Sequence, residues 1–183
     1  TWLDSLAMIN HYCFAGEQDF KDGFSVLVAG GGTGDTTIYL AEQLRGTNAR
    51  IVHLALSEAS IAIARRRAEI RGLDNIQWVQ ESLLDLPQLD LGQFDYINCS
   101  GVLHHLQDPD AGLRSLKQVL AVDGAQFAAG EQAVLDGSAV RRRVARGERD
   151  LSVGQDGLGI VRQHGVRLRP QRGGLGQPSR ARD

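Results

Sequence analysis

A chain of 183 residues, 42% of them hydrophobic, is long enough for one domain with a buried core. No run of about 18 apolar residues points to a membrane span, and the opening TWLDSLAMINHY has neither the basic nor the apolar region of a signal peptide, so a cytoplasmic protein is expected. The net charge of −2 is unevenly spread: residues 1–123 carry 9 Lys+Arg against 16 Asp+Glu (net −7), and residues 124–183 carry 11 Arg against 6 acids (net +5).

A lead-in, residues 1–23, precedes the first clear element. Val26, Leu27 and Val28 form an apolar run that enters a glycine-rich turn, Gly30-Gly31-Gly32-Thr33-Gly34, and a helical pattern follows with Ile38, Ala41 and Leu44 on one face. The alternation then repeats. RIVHLAL, Arg50 to Leu56, reads as a strand, and Glu58 to Arg71 as a helix with Ile61, Ala64 and Ala68 on one face. NIQWV, Asn75 to Val79, reads as a third strand, with a loop ending near Leu86-Pro87. FDYINC, Phe94 to Cys99, reads as a fourth. Asp108-Pro109 reads as an N-cap with proline in the first turn of a helix that carries Leu113, Leu116 and Leu120 on one stripe. Strands alternating with helices predict an α/β fold with a doubly wound, mostly parallel sheet and right-handed crossovers, spanning residues 24–123.

Beyond Asp123 the pattern fails. Gly124 to Gly130 (GAQFAAG) makes a poor fifth strand, so the sheet is expected to be truncated after the fourth or fifth. Residues 124–183 contain Phe127 as their last aromatic residue and are rich in Arg and Gly. A solvated tail follows from that composition, because so little apolar surface cannot offset the entropy of ordering. A basic arm for nucleic acid has no aromatic residue interleaved for base stacking. The abrupt change in composition favours a third reading, an out-of-frame translation.

A strand, a glycine turn and a helix start make a site for a polar or anionic ligand group, because the backbone can approach closely and the first helical N–H groups are unpaired. Spacing narrows the ligand. No Lys follows the glycines, which excludes a P-loop, and the dinucleotide pattern GxGxxG fails because Asp35 stands where its last glycine would be. The pattern present is GxGxG: Gly30, Gly32, Gly34. Cys13 and Cys99 form neither a metal pattern nor a disulfide framework and read as small buried thiols.

GxGxG resembles motif I of the class I S-adenosylmethionine-dependent methyltransferases, and three further blocks extend the likeness. IVHLALSEASIAIARRRA resembles the family's second strand and helix, and NIQWVQESLLDLP its third strand and adenine-side loop. FDYINCSGVLHHLQDP resembles its fourth strand and the segment after it, and INHYCFAGEQDF resembles a lead-in of some bacterial members. The resemblance covers about residues 1–123 and implies a Rossmann-like methyltransferase fold of the type acting on small molecules, with S-adenosylmethionine as cofactor and no metal.

By that resemblance Gly30, Gly32 and Gly34 admit the methionine part of the cofactor, and Asp35 and Thr36 stand at the helix start, where capping is an equal alternative. Ala55 and Leu56 occupy the ribose side, Ser82 and Leu83 the adenine side, and Asn98, Cys99 and Ser100 the end of the fourth strand beside the sulfonium. Asp85 reads as a turn residue and Asp95 as a structural carboxylate. His104 and His105 could supply a general base, although packing or loop anchoring is the plainer role. No residue is assigned as catalytic. The family's usual acid at the end of the second strand, which holds the ribose hydroxyls, is replaced here by Ala55; Glu58 stands three residues on, inside the helix. Val28 replaces an acid found in many relatives. The expected function is therefore methyl transfer to an unidentified small molecule, with no membrane partner and no nucleic acid. The alternatives are a catalytically inactive truncated or frame-shifted remnant and, less favoured, a nicotinamide-dependent oxidoreductase.

Overall fold

The computed structural model describes residues 5–129, 151–153 and 159–162. Five parallel strands are built from the apolar runs: β1 (Ser25–Ala29), β2 (Arg50–Ala55), β3 (Ile76–Gln80), β4 (Phe94–Ser100) and β5 (Leu120–Ala129). The helices between them are α2 (Asp35–Gln43), α3 (Glu58–Ile70) and α4 (Pro109–Gln118), with α1 (Ser5–Phe14) ahead of β1 and short 3-10 turns at Leu83–Gln88 and Leu103–His105. Two short strands, β6 (Leu151–Val153) and β7 (Gly159–Arg162), complete a sheet of order β3-β2-β1-β4-β5-β7-β6.

The chain thus forms the Rossmann-like doubly wound sheet expected, and its parallel part ends with the fifth strand. β7 runs antiparallel to β5, and β6 antiparallel to β7. These strands have three and four residues, too few for a period-2 pattern to register in the sequence. Residues 124–129, which the sequence assigns to the tail, continue β5. The remainder, 130–150, 154–158 and 163–183, lies outside the described residues, and with it the readings of tail, arm or out-of-frame product.

One boundary differs from the expected one. Leu120 belongs to β5, opposite Phe94, and not to the helix stripe. α4 stops at Gln118, and the register with β4 shifts between Phe94 and Tyr96. Asp123, at φ 69, lies in the stretch of β5 between Leu120 and Ala125 where the register shifts.

The sheet is apolar on both faces, as a parallel sheet covered by helices must be. On one face Val26, Val28, Ile51 and Tyr96 pack under Ile9 and Cys13 of α1 and Leu40 and Ala41 of α2. Phe14, Phe20 and Phe24 close that end edge to face, with ring centroids 4.7 to 6.5 Å apart. On the other face Leu27, Val52, Ile97 and Cys99 pack against Leu83, Leu86 and Leu116. There the Ser115 hydroxyl donates to the Leu83 carbonyl at 2.6 Å and ties α4 to the turn after β3. Asp95 is structural: its carboxylate accepts from the Ser25 amide at 2.8 Å. Asp108 caps α4 as the sequence predicts, accepting from the Asp110 and Ala111 amides at 2.9 and 3.1 Å. No described helix is long and apolar enough to cross a membrane.

Candidate cofactor site

The glycine turn leaves β1 at its carboxyl end and is pinned at once to the neighbouring strand. The Gly30 and Gly31 amides both donate to the Leu54 carbonyl of β2, at 2.7 and 3.1 Å. Gly34 then donates to the Gly31 carbonyl at 2.9 Å and caps α2 in the left-handed region, φ 91, without a side-chain cap. The first-turn amides of α2 consequently have no capping side chain, and helix geometry gives them no acceptor within the helix.

The four glycines have different neighbours. A Cβ on Gly30 would run into Val102, and one on Gly34 would stand 2.7 Å from the Ala64 Cβ of α3. At Gly31 it would run into Cε1 and stand 2.5 Å from Nδ1 of the His53 ring, too close for any side chain. At Gly32 it would meet only the Gly30 carbonyl oxygen, 4.0 Å away. Gly32 therefore faces open space, whereas Gly30 and Gly34 are close-packing positions.

That open space is a cleft at the carboxyl ends of β1 and β4, where ligands of such sheets bind. Its lining comprises Val28, Ala29, Gly30 to Thr33, Asp35 and Thr36 on one side and Asn98 and Ser100 on the other. The Ser100 hydroxyl donates to the Asn98 side-chain oxygen at 3.3 Å. Of the residues singled out in the sequence, the cleft brings together Val28, Gly30, Gly32, Asp35, Thr36, Asn98 and Ser100. Gly34 stands behind it against α3. Cys99 points into the core on the far face, where burial pushes its thiol up to about 12. Ala55 is buried at the end of β2, and Leu56 beyond it is 70% exposed. The Ser82 hydroxyl caps the 3-10 turn, accepting from the Leu84 amide at 3.1 Å, and Leu83 is a core residue. His104 and His105 are exposed, with ring centroids 3.9 Å apart. Among the described residues, no group of three or more His, Cys, Asp or Glu is placed to hold a metal ion.

Asp35 has a partner that the sequence did not disclose. Its carboxylate accepts from Arg67 of α3 at 2.6 Å, and the same guanidinium donates to the Thr33 carbonyl at 2.7 Å. The sequence also gave no warning of His53. Fully buried in β2, it shares a 2.8 Å hydrogen bond between Nδ1 and the Thr37 hydroxyl of α2. Its Nε2 has no partner within hydrogen-bonding distance, although the Gly32 backbone lies near enough to favour the charged ring. Burial outweighs that and lowers the ring's pKa from 6.5 to about 4, so His53 is neutral at physiological pH. The one signal available was a polar residue inside the apolar run IVHLAL.

A family model of the methyltransferase domain matches residues 27–125, more than half of the chain. The chain is 46% identical over 100 residues to an uncharacterized protein of a Synechococcus strain, covering 54% of this chain and 23% of that protein. It is 32% identical over 105 residues to the ubiquinone/menaquinone biosynthesis C-methyltransferase of Idiomarina loihiensis, covering 57% of this chain and 41% of that enzyme. The chain thus spans less than half the length of these curated relatives. A solved structure of a SAM-dependent methyltransferase from Aquifex aeolicus shares the fold at a TM-score of 0.65 and 18% identity, over 87% of this chain and 88% of that one. With a glycine turn of this geometry at the head of the matched segment, the chain belongs to the methyltransferase domain family.

Proposed function

We propose that the cleft binds S-adenosylmethionine and that the chain serves methyl transfer to a small-molecule acceptor. The observation that carries the reading is Gly32. It is the glycine of the turn whose missing side chain leaves open space, and it faces Asn98 and Ser100 across the cleft. The relative named as a quinone-biosynthesis C-methyltransferase supports a small acceptor.

When bound, the cofactor supplies a methyl group on a positively charged sulfur that is already activated for displacement. The protein's share is then positioning and exclusion of water. Gly32 and Thr33 bring backbone to the ligand, and the amides at the start of α2 suit an anionic group. Asn98 and Ser100 offer polar side chains opposite. A proton acceptor is needed only where the acceptor substrate must lose a proton, and His104 and His105 are exposed a few residues beyond the end of β4.

A second reading, a domain that binds cofactor weakly and does not turn over, is favoured by Ala55. A methyl group stands where the family places the carboxylate that holds the ribose. Hydrogen bonds to a charged group contribute about 1.5–3 kcal/mol each, so the loss of one weakens binding roughly ten- to a hundredfold. Calorimetric titration with S-adenosylhomocysteine, on this chain and on Ala55→Asp, tests both readings. Micromolar binding by the parent chain supports the first. Binding by Ala55→Asp alone supports the second, and binding by neither overturns the cofactor assignment.

A further inference from the structure

We infer that His53 is a positioning residue of the cofactor loop, its ring supporting Gly31 from below and joining β2 to the first turn of α2 through Thr37. The inference rests on the reading that the cleft binds S-adenosylmethionine.

His53 costs more than an apolar residue in the same place. A buried polar group is unfavourable unless its hydrogen bonds are made, and only one of its two nitrogens has a partner. An aliphatic side chain would fill the same space between Val28 and Trp78, its register partners on β1 and β3, without that penalty. What the ring adds is contact at three points of the site, two on the glycine loop and one on α2.

The first point is Gly31, on the loop. A Cβ on Gly31 would stand 2.5 Å from Nδ1 and 3.2 Å from Nε2, so the ring lies directly against the backbone of Gly31. The adjacent residue, Leu54, holds the Gly30 and Gly31 amides through its carbonyl. Residues 53 and 54 together therefore form the floor of the loop. The second point is on α2. Thr37, also fully buried, is the third residue of that helix, and its hydroxyl is bonded to Nδ1. The third is Gly32, whose backbone lies beside the ring and whose open side faces the cleft. A shift of the ring thus moves the loop and the helix start relative to one another, and the ligand would bind between their amides.

The test is S-adenosylhomocysteine affinity by calorimetry at pH 7.5, with folding checked by circular dichroism and thermal unfolding of the unliganded proteins. His53→Leu should weaken binding by tenfold or more in folded protein. His53→Asn, which keeps an amide near the position of Nδ1, should recover most of the loss. Thr37→Val preserves shape and removes the hydroxyl, and should weaken binding about fivefold; it decides the matter if His53→Leu does not fold. Gly31→Ala should weaken binding in the parent and do so much less beside His53→Ala, since the obstructing ring is then absent. Parent-like affinity in His53→Leu and Thr37→Val, with only the melting temperature changed, would overturn the inference and leave the proposed function standing. Where Ala55→Asp alone binds, the same substitutions are read in that background with the same expected losses; no binding by either protein overturns both.

Discussion

Arg67 of α3 holds Asp35 and Thr33 with one guanidinium, donating to the Asp35 carboxylate at 2.6 Å and to the Thr33 carbonyl at 2.7 Å. α3 therefore braces the outgoing edge of the glycine turn from outside, while its own Ala64 packs against Gly34. The Asp35 side chain is 81% exposed. An ion pair of that kind contributes only about 0–1 kcal/mol. We expect Asp35→Asn to destabilise the protein by less than 1 kcal/mol in urea unfolding and to lose most of that difference in 1 M salt, where screening is nearly complete. Arg67→Lys should not restore both contacts, because a single ammonium cannot reproduce the guanidinium fork. A loss well above 1 kcal/mol would mean that the pair is stronger than its exposure allows.

Gly32 and Gly34 should separate binding from folding. Gly32→Ala leaves the neighbours undisturbed and pays only for a left-handed backbone at φ 52, a cost of about 1 kcal/mol. Its methyl group would enter the cleft, so affinity for S-adenosylhomocysteine should fall at least tenfold in a folded protein. Gly34→Ala adds a clash with Ala64 to the strain at φ 91, and the sum should reach about 2–4 kcal/mol. Chemical denaturation ranks the two for stability and titration ranks them for affinity, and the orders should be opposite.

The sequence exposed whatever depended on local pattern. The strand, glycine turn and helix from Ser25 to Gln43 were legible because apolar period and glycine placement are local signals, and Asp108 was legible as a cap because its neighbour is Pro109. The roles of the individual glycines were not legible. What makes Gly34 a packing position is Ala64, thirty residues later, and what makes Gly31 obligatory is His53 on another strand. The Arg67–Asp35 pair is hidden for the same reason, being set by how α3 lies beside α2. Leu120 fitted the helix stripe by spacing, but pairing with Phe94 prevailed.

Cys99 faces the core between β4 and α4, and burial raises its thiol to about 12. The thiolate is the reactive species, so both access and ionisation protect it. At pH 8 an aromatic disulfide reagent should leave Cys99 unmodified in native protein and label it promptly in guanidinium. Peptide mapping of the labelled chain reads the outcome. Native labelling at a rate near that of the unfolded chain would show that β4 opens far more readily than a core strand should.

His53 makes stability depend on pH in a defined window. Its ring is held neutral in the fold, with a pKa near 4, whereas in the unfolded chain it titrates at the ordinary 6.5. Between those values the unfolded state binds a proton that the native state does not, so stability rises with pH across the window and falls on acidification. At pH 4.5 the loss attributable to this one ring should be about 2.5 kcal/mol, from 1.36 kcal/mol per pKa unit. Above pH 7 the ring's contribution to the slope is small and fading, because the unfolded histidine is by then mostly neutral. Carboxylates titrate in the same acid range, so the measurement that isolates the ring is the difference between the parent and His53→Asn in urea unfolding at pH 7.5, 6, 5 and 4.5. The two curves should run parallel above pH 7 and converge or cross toward pH 4.5, as the parent alone bears the cost of keeping an imidazole uncharged. Curves that stay parallel throughout would show that His53 takes up its proton without disturbing the fold, and that the floor of the glycine loop is accessible to water.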